Sequence, residues 1–191
     1  MDVPKKSEQV ERLMEQVGLE PIFGTDLILL LMAAPTRFKS AQNRLSGITR
    51  LEKLLFLADR ETAITTQVSE PLKFVAYNFG PYSKQVYEAV EILEEANLLV
   101  EERQIDSQDL DSMEEAERVD DTTDYSERKF QLTPDGIALS NFLGSQRPGI
   151  IHDLTKIKDQ YAGLSLRELI RYVYTKYPES AENSVIRDKV L

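Results

Sequence analysis

Apolar residues recur at helical spacing in seven segments, and this pattern predicts a mainly helical protein. The segments cover roughly 8–17, 27–34, 49–62, 81–96, 134–143, 150–162 and 166–177. The segment 27–34 is apolar on nearly all sides, which is typical of a helix at the centre of a core. In contrast, the segment 81–96 has one apolar face and one acidic face, which predicts a helix at the surface.

Three short segments have the composition of β-strands, at 73–77, 98–102 and 128–133. The last two are expected to pair antiparallel. Gly80-Pro81 is expected to begin the helix that follows the first strand, because proline at the first helical position loses no needed donor. Thr49 with Glu52, and Ser165 with Glu168, match the capping box that begins a helix. We expect Glu52, Lys53, Asp59 and Arg60 to be the solvent-facing residues of the helix after Thr49.

The order of these elements predicts one domain over 1–178 with a winged helix-turn-helix core at about 25–143. An acidic, mobile insertion is expected at about 104–127, between the two wing strands. Gly144 to Gly149 reads as a linker that leads to a C-terminal helical pair at 150–178, and 179–191 reads as a loosely ordered tail.

The composition favours a cytoplasmic protein. The chain has no cysteine, no apolar run long enough to span a bilayer and no secretory leader pattern at its first residues. Its formal net charge is −10, and the stretch 101–128 alone holds twelve carboxylates against three arginines. A protein that coats nucleic acid with a basic surface is therefore disfavoured.

Two charged groups are candidate binding surfaces. The helix 81–96 carries one lysine against four glutamates, and its candidate partner-binding residues are Tyr82, Lys84, Glu88, Glu91, Glu94 and Glu95. A second, basic group could meet an anionic partner, and it consists of Arg37, Lys39, Arg44, Arg50 and Lys53. An ordinary solvated loop is the favoured explanation of the basic group, and a solvated helix face is a common explanation of the acidic one.

The sequence resembles the SocA/Panacea antitoxin-associated domain, and its YwgA-like branch in particular. The motifs that carry the resemblance are TRLEKLLFLADRE at 49–61, FGPYS at 79–83, LTPDG at 132–136, and LREL at 166–169 with Tyr177-Pro178. Their order covers roughly 25–178. The resemblance implies a non-catalytic antitoxin, or the toxin-binding part of one, from a bacterium or phage. Some relatives are thought to neutralise a DNA-acting toxin by occupying its nucleic-acid surface.

Three functions follow for comparison. An enzyme is not expected, because the only histidine is His152 and the sequence shows neither a phosphate-binding glycine loop nor metal-ligand spacing. No catalytic residue, cofactor or metal is therefore expected. A DNA-binding winged-helix regulator is the alternative, although the acidic helix would repel phosphates. The favoured function is a protein-binding module with a toxin or another basic protein as partner, and a homo-oligomer stays open.

Overall fold

The computed structural model describes residues 20–105 and 126–191, and the side chains of 103–105 and 126–128 fall outside that description. The expected helix at 8–17 and nearly all of the acidic insertion at 104–127 lie outside the described residues. Within them the chain is mainly helical with a small antiparallel sheet, as the sequence predicts. The helices are α1 (Gly24–Ala33), α2 (Ile48–Glu61), α3 (Lys84–Glu95), α4 (Pro134–Gln146), α5 (Pro148–Tyr161), α6 (Leu166–Lys176) and α7 (Arg187–Val190).

Two small sheets accompany the helices. The strands are β1 (Arg44–Ser46), β2 (Val75–Tyr77), β3 (Gly80–Tyr82), β4 (Leu99–Ile105) and β5 (Ser126–Leu132). The first sheet has the order β1-β5-β4 and is antiparallel throughout, while β2 and β3 form a separate antiparallel hairpin. The expected β4–β5 pair is confirmed, with Leu99 opposite Leu132. This order is compatible with the expected winged-helix arrangement.

Helix α1 lies at the centre of the core. Every side chain from Leu27 to Met32 is buried, and α1 packs against α3, α4 and α5. Helix α2 packs in turn against α5 and α6. The all-round apolar character of the α1 segment thus reflects a helix that has neighbours on every side.

Side-chain hydrogen bonds cap the N-termini of α4 and α6. Thr133 caps α4, since its hydroxyl oxygen accepts the Gly136 N–H at 3.0 Å and the hydroxyl itself donates to the Asn97 carbonyl at 2.8 Å. The capping box of α6 is also confirmed, because Ser165 and Glu168 exchange hydrogen bonds between side chain and backbone. Each cap satisfies backbone donors that the helix geometry leaves unpaired.

The expected capping box of α2 is wrong. The helix begins at Ile48, and Gly47 with φ of +83° occupies the N-cap position. The Glu52 carboxylate accepts the backbone N–H of Ser83 at 2.9 Å instead of turning back to Thr49. The Glu52 carboxylate therefore bonds to a backbone group 31 residues away, whereas a capping box would have used it within the first turn of α2.

The expected helix start at Gly80-Pro81 is also wrong. Gly80–Tyr82 is strand β3, and Val75 lies opposite Tyr82 in the hairpin. Helix α3 begins at Lys84 with Ser83 as its N-cap residue. Proline is tolerated here because β3 is an edge strand of a two-stranded sheet.

A strand and a shorter linker differ from the prediction. Arg44–Ser46, which is not among the three expected strands, pairs with β5 as strand β1. Gly144 to Gln146 complete α4, and Arg147 alone separates α4 from α5. Helix α5 packs on α1 and α2, so the C-terminal helices belong to the same packed body as the core.

The tail at 179–191 is packed, contrary to the expectation of a loosely ordered segment. Ala181, Ile186 and Val190 are buried. The backbone N–H of Val185 donates to the Asn78 carbonyl at 3.0 Å, and the Arg171 guanidinium donates to the Val190 carbonyl at 2.7 Å. The tail thus joins the β2–β3 hairpin to α6.

Candidate protein-binding surface

Helix α3 has a buried face and an outward charged face. Val86, Ala89, Val90 and Leu93 are buried, and the charged side chains occupy the opposite side. Lys84, Glu88, Glu91 and Glu95 are exposed, at successive spacings of three or four residues. Three carboxylates therefore lie in a row along one side of the helix.

Lys84 does not neutralise this row. Its ammonium lies 2.6 Å from Glu88 Oε1, and the hydrogen bond with that carboxylate raises the pKa of Lys84. Both side chains are well exposed, so the pair is a solvated i,i+4 contact that contributes little to stability. Glu91 and Glu95 lie on the same face, and no lysine or arginine of α3 lies between them.

Two residues of α3 differ from what its sequence suggests. Glu94, assigned with the other glutamates, is half-buried and lies off the exposed row. Ile92 is 55% exposed and lies beside the row, although its side chain is fully apolar. Residue spacing on a helix could have indicated Ile92, because it falls one position after Glu91 and four after Glu88.

Three tyrosines lie in contact near the start of α3: Tyr77 on β2, Tyr82 on β3 and Tyr87 on α3. The Tyr82 ring lies 5.1 Å from the Tyr77 ring and 5.3 Å from the Tyr87 ring, centroid to centroid. Tyr77 is half exposed, and the neighbouring apolar Val75 is exposed on the same strand. These ring contacts join Tyr82 of β3, which is partly exposed, to Tyr77 of β2 and to Tyr87 of α3.

A pocket of about 350 Å³ lies between α2, the β2–β3 hairpin and α3. Its lining residues are Ile48, Glu52, Lys53, Tyr77, Asn78, Phe79, Gly80, Tyr82 and Tyr87. Two of the motifs quoted above, at 49–61 and 79–83, thus meet around one cavity. The three tyrosines described above are among its lining residues.

The charged pair at this pocket is buried, contrary to the expectation that both side chains face water. Glu52 is 3% exposed and Lys53 is 1% exposed. Lys53 Nζ donates to the Pro81 carbonyl at 3.0 Å and lies 3.8 Å from Glu52 Oε2. Burial raises the pKa of the Glu52 carboxyl, while the nearby Lys53 charge and the Ser83 N–H oppose that rise.

The predicted basic group does not form one surface. Lys53 is buried, and the Arg50 guanidinium is partly buried and donates to the Leu164 carbonyl at 2.8 Å. The Arg37 guanidinium donates to the Asp159 carbonyl at 3.0 Å. Lys39 and Arg44 are exposed. Most of these cations hold separate backbone segments together, which leaves two of them as plain surface residues.

A second cluster of ionisable groups surrounds Glu61, at the end of α2. The carboxylate accepts hydrogen bonds from the hydroxyls of Tyr161, Tyr172 and Tyr177, and from Lys176 Nζ at 2.8 Å. Burial raises the pKa of Glu61, but the bonds from Lys176, Tyr161 and Tyr177 outweigh it and lower the pKa overall. This cluster, which sequence reasoning missed, fastens α2 to α5 and α6.

Two features are absent among the described residues. Within 20–105 and 126–191, no group of three or more His, Asp or Glu side chains could hold a metal ion. His152 is exposed on α5. Among the same residues, no helix is both long and apolar enough to cross a bilayer.

Comparison with known families assigns the chain. Residues 51–178 match the family described as antitoxin SocA-like, Panacea domain, so the chain belongs to this family. The match begins three residues into α2 and runs to the end of α6. It includes α3, the three tyrosines and every residue that lines the pocket except Ile48. No curated protein matches the chain significantly. The family assignment supports an antitoxin-associated role and suggests a protein partner.

Proposed function

We propose that this protein is an antitoxin-like module that binds a basic partner protein through the outward face of α3 and the adjoining tyrosines. We define this α3 surface as Lys84, Glu88, Glu91, Ile92 and Glu95 together with Tyr77, Tyr82 and Tyr87. The row of exposed carboxylates at Glu88, Glu91 and Glu95 is the observation that carries the proposal. Family membership supports the proposal, because the description of the family names it antitoxin SocA-like.

The composition of the α3 surface agrees with protein binding. Protein interfaces are enriched in tyrosine and in fully covered apolar side chains, and their rims carry charge. Here the tyrosines and Ile92 supply the apolar part, and the carboxylates flank them. Charges on such a rim raise the association rate with a partner of opposite charge more than they raise the affinity.

The proposed role is non-catalytic and cytoplasmic. The chain lacks cysteine, and its one histidine lies on the surface of α5. The buried ionisable pair Glu52–Lys53 makes hydrogen bonds to backbone groups of the hairpin, which is an arrangement suited to structural support. If the partner acts on nucleic acid, the carboxylate row could take the place of phosphates on the partner's surface.

DNA binding by the same surface is disfavoured. Phosphate contacts supply most of the affinity of proteins for duplexes, and they require cations. The exposed side of α3 instead carries three carboxylates, and its one lysine is paired with Glu88. A DNA-binding regulator is therefore the alternative function, and the experiment described next distinguishes it from a protein-binding module.

Affinity capture of the tagged full chain from its native cells tests the proposal. We expect one protein to co-purify in stoichiometric amount with the wild type and to be lost with the double variant Glu88→Lys/Glu91→Lys. The matched control is Glu20→Lys/Glu70→Lys, which makes the same charge change at two exposed glutamates off α3 and should keep the partner. Circular dichroism confirms that both variants fold.

The captured protein is then expressed alone and together with this chain. Growth arrest by the partner, and its relief by the wild type but not by Glu88→Lys/Glu91→Lys, is the result expected of an antitoxin. Equal capture by both double variants would refute the proposed surface. Retention of duplex DNA by the purified wild type at moderate salt, with no protein captured, would favour the regulator.

A further inference from the structure

The pocket beside α3 is small. At about 350 Å³ it lies near the lower end of the range for small-molecule pockets, roughly 300 to 1,000 Å³. Its walls come from three different elements, namely α2, the β2–β3 hairpin and α3. Because the hairpin is fastened to α2 by buried hydrogen bonds, the walls are held in place before any ligand arrives.

A buried carboxylate lines this pocket. Glu52 Oε1 accepts the Ser83 N–H, whereas Oε2 lies 3.8 Å from Lys53 Nζ, which is beyond hydrogen-bond distance. The Lys53 ammonium instead donates to the Pro81 carbonyl at 3.0 Å. Each carboxylate oxygen can accept two hydrogen bonds, so the Glu52 carboxylate, which lines the pocket, can accept more bonds than the one from Ser83.

Aromatic rings line the pocket beside this carboxylate. The rings of Tyr77, Tyr82 and Tyr87 form a continuous row, with neighbouring centroids 5.1 and 5.3 Å apart. Faces of tyrosine rings attract cations, and arginine makes such contacts more often than lysine because its planar guanidinium also stacks. Outside the tyrosine row, the exposed carboxylates of α3 attract cations and repel anions.

We propose that the pocket binds an arginine side chain from a basic segment of the partner protein. The guanidinium stacks on the rings of Tyr77 and Tyr82 and donates a hydrogen bond to the Glu52 carboxylate, while the segment around it crosses the carboxylates of α3. This assignment deepens the proposed function and rests on it for the identity of the partner as a protein. It also explains why a buried carboxylate and three tyrosines lie together next to an acidic helix.

A small arginine probe tests the pocket without the partner. The probe is N-acetyl-arginine amide, added to the isotope-labelled full chain while backbone amide shifts are recorded by NMR. We expect saturable shifts at Gly80 and Ser83, and none with N-acetyl-norleucine amide, which offers an unbranched apolar side chain without the charge. The Glu52→Gln variant keeps an acceptor for Ser83 and should bind the arginine probe at least about tenfold more weakly.

A variant at the tyrosine row covers the case in which Glu52→Gln does not fold. Tyr77→Leu removes a half-exposed ring and should weaken the probe about tenfold, whereas Phe142→Leu, at an exposed aromatic residue on α4, should leave it unchanged. The assignment is overturned if the norleucine probe gives the same shifts. It is also overturned if Tyr77→Leu binds the arginine probe like the wild type.

The pocket and the proposed function fail in different ways. If the arginine probe does not bind but Glu88→Lys/Glu91→Lys still loses the captured partner, the pocket assignment is wrong and the α3 surface stands. If the probe binds with the expected variant pattern but no protein is captured, the protein-partner function is wrong and the arginine site stands.

Discussion

Lys53 and Pro81, 28 residues apart, are joined by a buried hydrogen bond of 3.0 Å between the lysine ammonium and the proline carbonyl. Glu52, the preceding residue, accepts the N–H of Ser83 from the same segment. Two adjacent charged residues of α2 thus hold the β2–β3 hairpin and the start of α3. The pocket and the α3 surface depend on this attachment for their shape.

Replacing Lys53 by methionine should therefore destabilise the protein by about 3 kcal/mol, because the buried Glu52 charge and the Pro81 carbonyl lose their partner. Urea unfolding followed by circular dichroism measures the change. Lys39→Met, at an exposed lysine, is the matched control and should stay within about 0.5 kcal/mol of the wild type. Equal stabilities of the two variants would show that the buried bond is not needed.

Gly80→Ala should destabilise the hairpin by about 2 kcal/mol or more, because both the backbone conformation and the space at this position suit glycine. Gly80 has a φ of +89°, and an added Cβ would lie 2.5 Å from Cε1 of the Tyr174 ring. Gly149→Ala is the control, since a Cβ there meets nothing within 4 Å. Thermal unfolding of both variants measures the difference. A Gly80→Ala protein as stable as Gly149→Ala would contradict the close approach of Tyr174.

The lowered pKa of Lys158 predicts that the free energy of unfolding rises with pH. Its ammonium is fully buried and donates to the Met32 and Ala34 carbonyls at 2.8 Å, and burial lowers the pKa of Lys158 from 10.5 to about 7. Between these two values the unfolded chain binds more protons than the folded one. The free energy of unfolding contributed by this group therefore increases with pH between about 7 and 10.5.

Urea unfolding across that pH range tests the contribution of Lys158. The Lys158→Met variant should lose the rise, whose slope approaches about 1.4 kcal/mol per pH unit in the wild type. Lys156→Met, at an exposed lysine on the same helix, should keep it. A wild type and a Lys158→Met variant with parallel pH profiles would refute the lowered pKa.

The lowered pKa of Glu61 predicts that the free energy of unfolding falls in acid. Its folded-state pKa lies below the ordinary 4.5, so its contribution to stability is present above that value and is lost as pH falls through the folded pKa. Glu61→Gln should cost about 2 kcal/mol at neutral pH, because the bonds from Lys176 and the tyrosines lose their charged acceptor. The variant should then lose less of its remaining stability on acidification.

Unfolding of wild type and Glu61→Gln at neutral and acidic pH measures this difference, and the comparison cancels the contributions of other carboxyl groups. Glu182→Gln, at an exposed glutamate of the tail, should follow the wild type at both pH values. If the gap between Glu61→Gln and the wild type did not narrow in acid, the lowered pKa of Glu61 would be wrong.

The candidate site was predictable only in part. Charge and helical spacing place Glu88, Glu91 and Glu95 on one exposed face from the sequence alone, because side chains three or four positions apart always lie on the same side of a helix. The pocket was not predictable in this way. Tyr77 and Tyr87 meet around Tyr82 only because β2 and β3 form a hairpin, and the sequence Gly80-Pro81 suits a helix start as well as an edge strand.

The periodicity of apolar residues by itself determined the mainly helical class, the central position of α1 and the β4–β5 pair, because removal of apolar surface from water is the main force that drives folding. Local hydrogen-bond chemistry determined the caps at Thr133 and Ser165. Only the tertiary structure decided that Glu52 and Lys53 are buried. Burial of a charged side chain is costly unless other groups pair with it or form hydrogen bonds to it. Here those groups are the Pro81 carbonyl and the Ser83 N–H, which lie far from α2 in the sequence, and the sequence does not show that they come close.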